Sequence, residues 1–157
     1  MSPARRTDPE QGRAALELWA RDPEAAAAGG RRVLAPAVRH TLELLAEENP
    51  GGAVELRVPP YAAVQAISGT RHTRGTPPAV VETDPLTWLS LAAGDLTFAE
   101  AVASGALRAS GERSDISALL PLPGPRRLVA AARAAAPAPV PDASAAAERS
   151  APPEESR

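Results

Sequence analysis

Apolar residues recur at helical spacing early in the chain and then switch to alternation. Between Arg31 and Glu48, Leu34, Val38, Leu42 and Leu45 fall at i, i+4, i+8 and i+11. That is one stripe of an amphipathic helix, with Arg39, Glu43 and Glu47 on another face and His40 at the boundary of the stripe. Asn49-Pro50-Gly51-Gly52 stops it. Ahead of it, Asp8-Pro9-Glu10-Gln11 reads as a helix start: Asp8 caps, Pro9 takes the first position and Gln11 the capping-box position. Ala15, Leu18 and Trp19 then share one face. Asp22-Pro23 ends or restarts this helix, and Gly29-Gly30 breaks it.

Beyond residue 52 the period becomes two. Val54, Leu56 and Val58 point one way, Glu55 and Arg57 the other, which predicts a strand. Tyr61 to Ser68 ("YAAVQAIS") predicts a second, paired with the first as an antiparallel hairpin, and Ala79 to Thr83 a third. Asp84-Pro85 repeats the cap-plus-proline signal and opens a helix, Leu86 to Ala93, that ends at Gly94. Thr97-Phe98-Ala99-Glu100 is a capping box for a short helix ending near Gly105. Ala106 to Gly111 reads as a short strand, and Ser114-Asp115 starts a last short helix, "DISALLPL". "PLPGP", Pro121 to Pro125, marks a boundary. The pattern predicts an α+β domain over residues 1–122, with a small, mostly antiparallel sheet of four or five strands covered by helices. Residues 123–136 read as a linker with a short helix, anchored only by Leu128 and Val129. Residues 137–157 are Ala/Pro-rich, lack a packable pattern and predict a disordered tail.

Composition narrows the function classes. Of 157 residues, 18 are proline and four are aromatic, so a modest core of about 110–120 ordered residues must be built from Val, Leu, Ile and Ala. All 17 basic residues are arginine, and the net charge is −2, which predicts no nucleic-acid partner. No cysteine is present, which excludes disulfides, thiol catalysis and Cys-based zinc sites. The N-terminus lacks an apolar targeting stretch and no run is long enough to span a membrane, so a cytoplasmic protein is expected.

Chemistry is concentrated in one loop. Arg71, His72, Thr73, Arg74, Gly75 and Thr76 lie between the second and third strands. In one reading they capture an anion: two guanidinium forks, two hydroxyls, a glycine that lets backbone amides approach, and an imidazole that switches near neutral pH. In the other they form a solvated connection whose arginines pair with Glu82 or Asp84. Tyr61, Val64, Trp88 and Phe98 either fill the core or line an apolar ligand cavity between sheet and helices. Nucleotide-binding and nucleophile-elbow motifs are lacking. Two isolated histidines do not make a metal site. No enzyme, metal or cofactor is therefore expected.

"TDPLTWLSLAAGDLTFAEAVASGALRASGERSDISALL", Thr83 to Leu120, resembles the C-terminal half of sterol carrier protein-2 domains. The likeness rests on Asp84, Trp88, Leu91, Gly94-Asp95-Leu96, Ala101, Gly105-Ala106-Leu107, Gly111 and Leu119-Leu120. With "RVPPYAAVQ" and "RHTRGTPPAVVETDP" the chain to Leu122 is similar to the small bacterial orthologue branch of that superfamily. The resemblance implies the sterol carrier fold and a non-catalytic carrier of a small lipid-like or amphipathic ligand. The alternative is an accessory domain that binds a protein partner or homodimerises without a ligand cavity. Sterol carrier domains close their tunnel with a C-terminal helix, and the matching candidate here is Arg126 to Ala136.

Overall fold

Most helices begin where an Asp, Thr or Pro marks the start, in a computed structural model that describes residues 6–69 and 79–136. Helix α1 is Pro9–Arg21, α2 Pro23–Gly29 and α3 Arg31–Glu48; strands β1 Val54–Val58, β2 Ala62–Ala66 and β3 Ala79–Thr83 follow. Then come α4 Pro85–Ala93, α5 Phe98–Ala103, β4 Leu107–Ser110, a 3-10 turn at Ser117–Leu119 and α6 Pro123–Ala134. Asp8, Asp22 and Asp84 each accept a backbone N–H at the start of their helix, and each is followed by proline. Thr97 and Glu100 form a full capping box. Gly94 ends α4 in the left-handed region, at φ 89°, where a side chain would be strained.

The sheet order is β2-β1-β3-β4. β1 pairs antiparallel with β2 and parallel with β3, and β3 pairs antiparallel with β4. The α+β class and the mostly antiparallel four-stranded sheet are therefore as expected. One face is buried: Val54, Leu56, Val58, Ala66, Ala79, Val81, Thr83 and Leu107 all point into the core. The other face is polar, and the strand register sets Arg57, Glu82 and Arg108 side by side across three strands. Opposite charges at paired positions suit a solvated sheet face.

α3 packs against β2, α4 and α1, and α6 packs against α1 and α4. The expected stripe of Leu34, Val38, Leu42 and Leu45 is fully buried. Three local expectations change. Leu18 is 53% exposed and Leu16 takes its place in the core; the two lie ~200° apart around the helix, and only the position of α3 and α6 chooses between them. Gln11 closes no capping box, because Asp8 reaches the Glu10 amide at 2.9 Å. The last short helix shrinks to the 3-10 turn, with Ile116 buried ahead of it.

The short helix expected within residues 123–136 is present. It is α6, whose Pro125, Val129 and Ala132 are buried. Its anchor is polar. Arg133 donates to both oxygens of Asp95 at 2.7 and 2.6 Å and to the Ala20 carbonyl at 3.3 Å. Its guanidinium lies 5.6 Å from the centre of the Trp19 ring. One side chain thus ties α6 to α1 and to the turn after α4.

Candidate functional site

The expected head-group residues, Arg71, His72, Thr73, Arg74, Gly75 and Thr76, lie outside the described residues, as does the tail at 137–157. The described flanks of that loop are Ser68-Gly69 and Ala79. Arg113 donates to the Ser68 carbonyl at 3.2 Å, holding one flank to the segment after β4.

The four apolar candidates do not share one environment. Trp88 is 1% exposed and its indole N–H donates to the Thr41 hydroxyl at 2.8 Å. That hydroxyl sits against the Ala37 and Val38 carbonyls, within the turn of α3 that buries it. Trp88 is a core residue of the α3–α4 contact. Val64 is half-buried on β2, paired with Leu56. Tyr61 is half-buried at the turn before β2, its carbonyl accepting from Arg39 at 3.0 Å. Phe98 is half-buried at the first position of α5. Tyr61 stands at the end of β2 opposite to Ser68, roughly 16 Å of strand away. The hairpin therefore separates Tyr61 from the flank of the Arg/His loop.

A recess arises elsewhere. α1 crosses α3 at Gly12, which is buried, and a methyl group there would collide with the Cβ and Cγ of His40. This close approach brings His40 under α1, where it is 8% exposed and no longer a boundary residue. α6 lies alongside and leaves a groove of about 200 Å3, lined by Arg13, Leu16, His40, Leu44, Gly124, Pro125 and Leu128. Its walls are mainly hydrocarbon. Burial, and secondly the Arg13 guanidinium, push the His40 imidazole below its ordinary value, while Glu43 pulls the other way. The ring is therefore neutral at physiological pH, with one nitrogen a donor and the other an acceptor. An apolar slot with one neutral imidazole and one cation suits the end of an amphipathic molecule with an oxygen-bearing head. Spacing did not reveal this groove: His40 was legible only as a side residue of a stripe, and Gly12 carried no signal until α3 lay against it.

The profile of the family described as "Bacterial SCP ortholog" matches residues 30–122, from the residue before α3 to the residue before α6. No curated protein matches the chain. The match includes His40 and Leu44 from the groove; Arg13, Leu16 and the α6 residues lie outside it.

Proposed function

The chain belongs to the bacterial SCP ortholog family, and from that premise we propose that it is a non-catalytic binding module for a small lipid-like or amphipathic ligand. The observation that carries this reading is the groove beneath α6, where Leu16, Leu44, Pro125 and Leu128 surround a polar end made by Arg13 and His40. Ligand pockets commonly combine such an apolar lining with a few polar groups that fix orientation. At about 200 Å3 the groove suits the end of an apolar chain rather than a whole lipid. Arg71 and Arg74 remain the sequence-based candidates for a second, anionic head-group contact.

Fluorescent fatty acids and sterols titrated into the full chain test the proposal. Wild type should show saturable uptake. Leu128→Trp, which fills the groove, should reduce affinity at least tenfold while melting near wild type, and Arg71→Ala/Arg74→Ala reports on the loop separately. Absence of saturable uptake by wild type ends the carrier reading.

One observation favours a second reading, an accessory or dimerisation domain. Around α4, Trp88, Leu89 and Leu91 are at most 1% exposed, so the space between α4 and its neighbouring helices is occupied by side chains. A dimer in sizing experiments, coupled with no lipid uptake, would favour it.

A further inference from the structure

A second recess, separate from the groove, has four arginines among its nine lining residues. It runs between the start of α1 and the outer face of α3, encloses about 1060 Å3 and is open to solvent. Arg6, Arg31, Arg32 and Arg39 line it, with Asp8 the one carboxylate and Ala35-Pro36 an apolar floor. Glu47 offsets Arg6, which leaves Arg31, Arg32 and Arg39 in excess over Asp8 in the lining. Asp8 accepts the Glu10 amide, Glu43 accepts from the Thr7 amide and hydroxyl, and Glu47 pairs with Arg6. Arg39 gives its Nε–H to the Tyr61 carbonyl, which fixes the side chain and leaves the two terminal nitrogens available.

Arg31 and Arg32 are exposed and make no ion pair or side-chain hydrogen bond among the described residues. No acidic residue in the first turn of α3 offsets them. Along the helix, Arg32 and Arg39 are separated by ~10 Å of rise. The cleft therefore offers two cationic points, spaced for more than one anionic group, on a chain whose net charge is −2. Guanidinium forks bind phosphate in a bidentate manner, and a concave wall with an excess of positive charge concentrates the field.

We propose that this cleft binds a small anion carrying two or more phosphate groups. Arg31 and Arg32 hold one end, the terminal nitrogens of Arg39 take the other, and Ala35 and Pro36 contact any apolar part between them. The site is distinct from the groove under α6, and its test is independent of lipid uptake there.

Inorganic pyrophosphate and triphosphate are titrated calorimetrically against the full chain at low salt. Saturable one-to-one binding is expected, at least tenfold weaker in Arg31→Gln/Arg32→Gln. It should be unchanged in Arg126→Gln/Arg127→Gln, which removes the same charge from exposed positions on α6. Both doubles should melt near wild type, because none of the four side chains is buried. A second arm sediments the three proteins with vesicles containing phosphatidylinositol 4,5-bisphosphate, whose headgroup carries several phosphates. Pelleting lost only in Arg31→Gln/Arg32→Gln identifies the phosphate as a lipid headgroup. Calorimetric binding without pelleting identifies a soluble anion. No saturable binding in either arm, or equal losses in the two doubles, overturns the proposal.

Discussion

Trp88 and Thr41 form a buried polar pair inside an otherwise apolar layer. The Thr41 hydroxyl accepts the indole N–H at 2.8 Å while lying within 2.9 Å of the Ala37 carbonyl, so both groups are satisfied. Thr41→Val keeps the shape and removes the acceptor. An unpaired buried donor costs about 1–3 kcal/mol, and chemical denaturation should show a loss of that size. Gly12 gives a sharper test because the two effects of its substitution oppose each other. Within a helix, Gly→Ala ordinarily stabilises by about 1 kcal/mol. Here the new methyl would meet the His40 Cβ and Cγ, on a side chain that is itself buried. Overpacking typically costs about 1–3 kcal/mol, so Gly12→Ala should lower stability, and an unchanged or raised melting temperature would refute the close α1–α3 crossing. Neither pair was legible beforehand, since the partners lie 47 and 28 positions apart in sequence.

At the scale of elements, α6 is the informative case. Its two large apolar residues, Leu128 and Val129, make it look too weak to dock. Arg133 changes that by combining a bidentate pair with Asp95, a bond to the Ala20 carbonyl and a stack on Trp19. Stacking at a partly exposed site is worth about 0.5–1 kcal/mol, and an exposed ion pair about 0.2–1 kcal/mol. Arg133→Ala should therefore cost about 1–2 kcal/mol in all, and it should speed amide exchange in α6 before the rest of the fold. Loss of protection spread evenly over all helices would argue against α6 as a separately anchored helix. The Arg133 hydrogen bonds also hold the Asp95 carboxyl below its ordinary value of 3.8. Its contribution is complete above that pH and is lost as pH falls through the depressed value, a limb that Arg133→Ala should remove. The strands and α3, by contrast, were readable in advance to within a residue or two, because their apolar periods are regular and proline or glycine bounds them.

For the whole molecule, His40 links stability to pH because it sits where α1, α3 and α6 meet. Its folded-state value is depressed, mainly by burial and then by Arg13. As pH drops below about 6.5 the unfolded chain takes up this proton before the folded one does. Stability therefore falls with acidification, starting near the ordinary imidazole value and continuing down to the depressed one. The melting temperature should decline as pH falls through and below the ordinary imidazole value of about 6.5, and His40→Gln should flatten that decline. An identical slope in the variant would place the titration elsewhere. The same junction holds the groove, so acidification should weaken uptake of an uncharged fluorescent lipid in parallel.

The sequence by itself determined the strands and most of the helices, because hydrophobic period, caps and breakers act over a few residues. It also determined the buried stripe of α3, the inward face of β1, and the family, through Thr83 to Leu120. Only the tertiary structure decided that Leu16 and not Leu18 is inside, that Trp88 is core, and that α6 docks. It alone brought His40 beneath α1 and gathered Arg6, Arg31, Arg32 and Arg39 around one cleft. Those outcomes depend on contacts between segments distant along the chain. Their energies arise only once two surfaces meet, and no local pattern encodes where that meeting takes place.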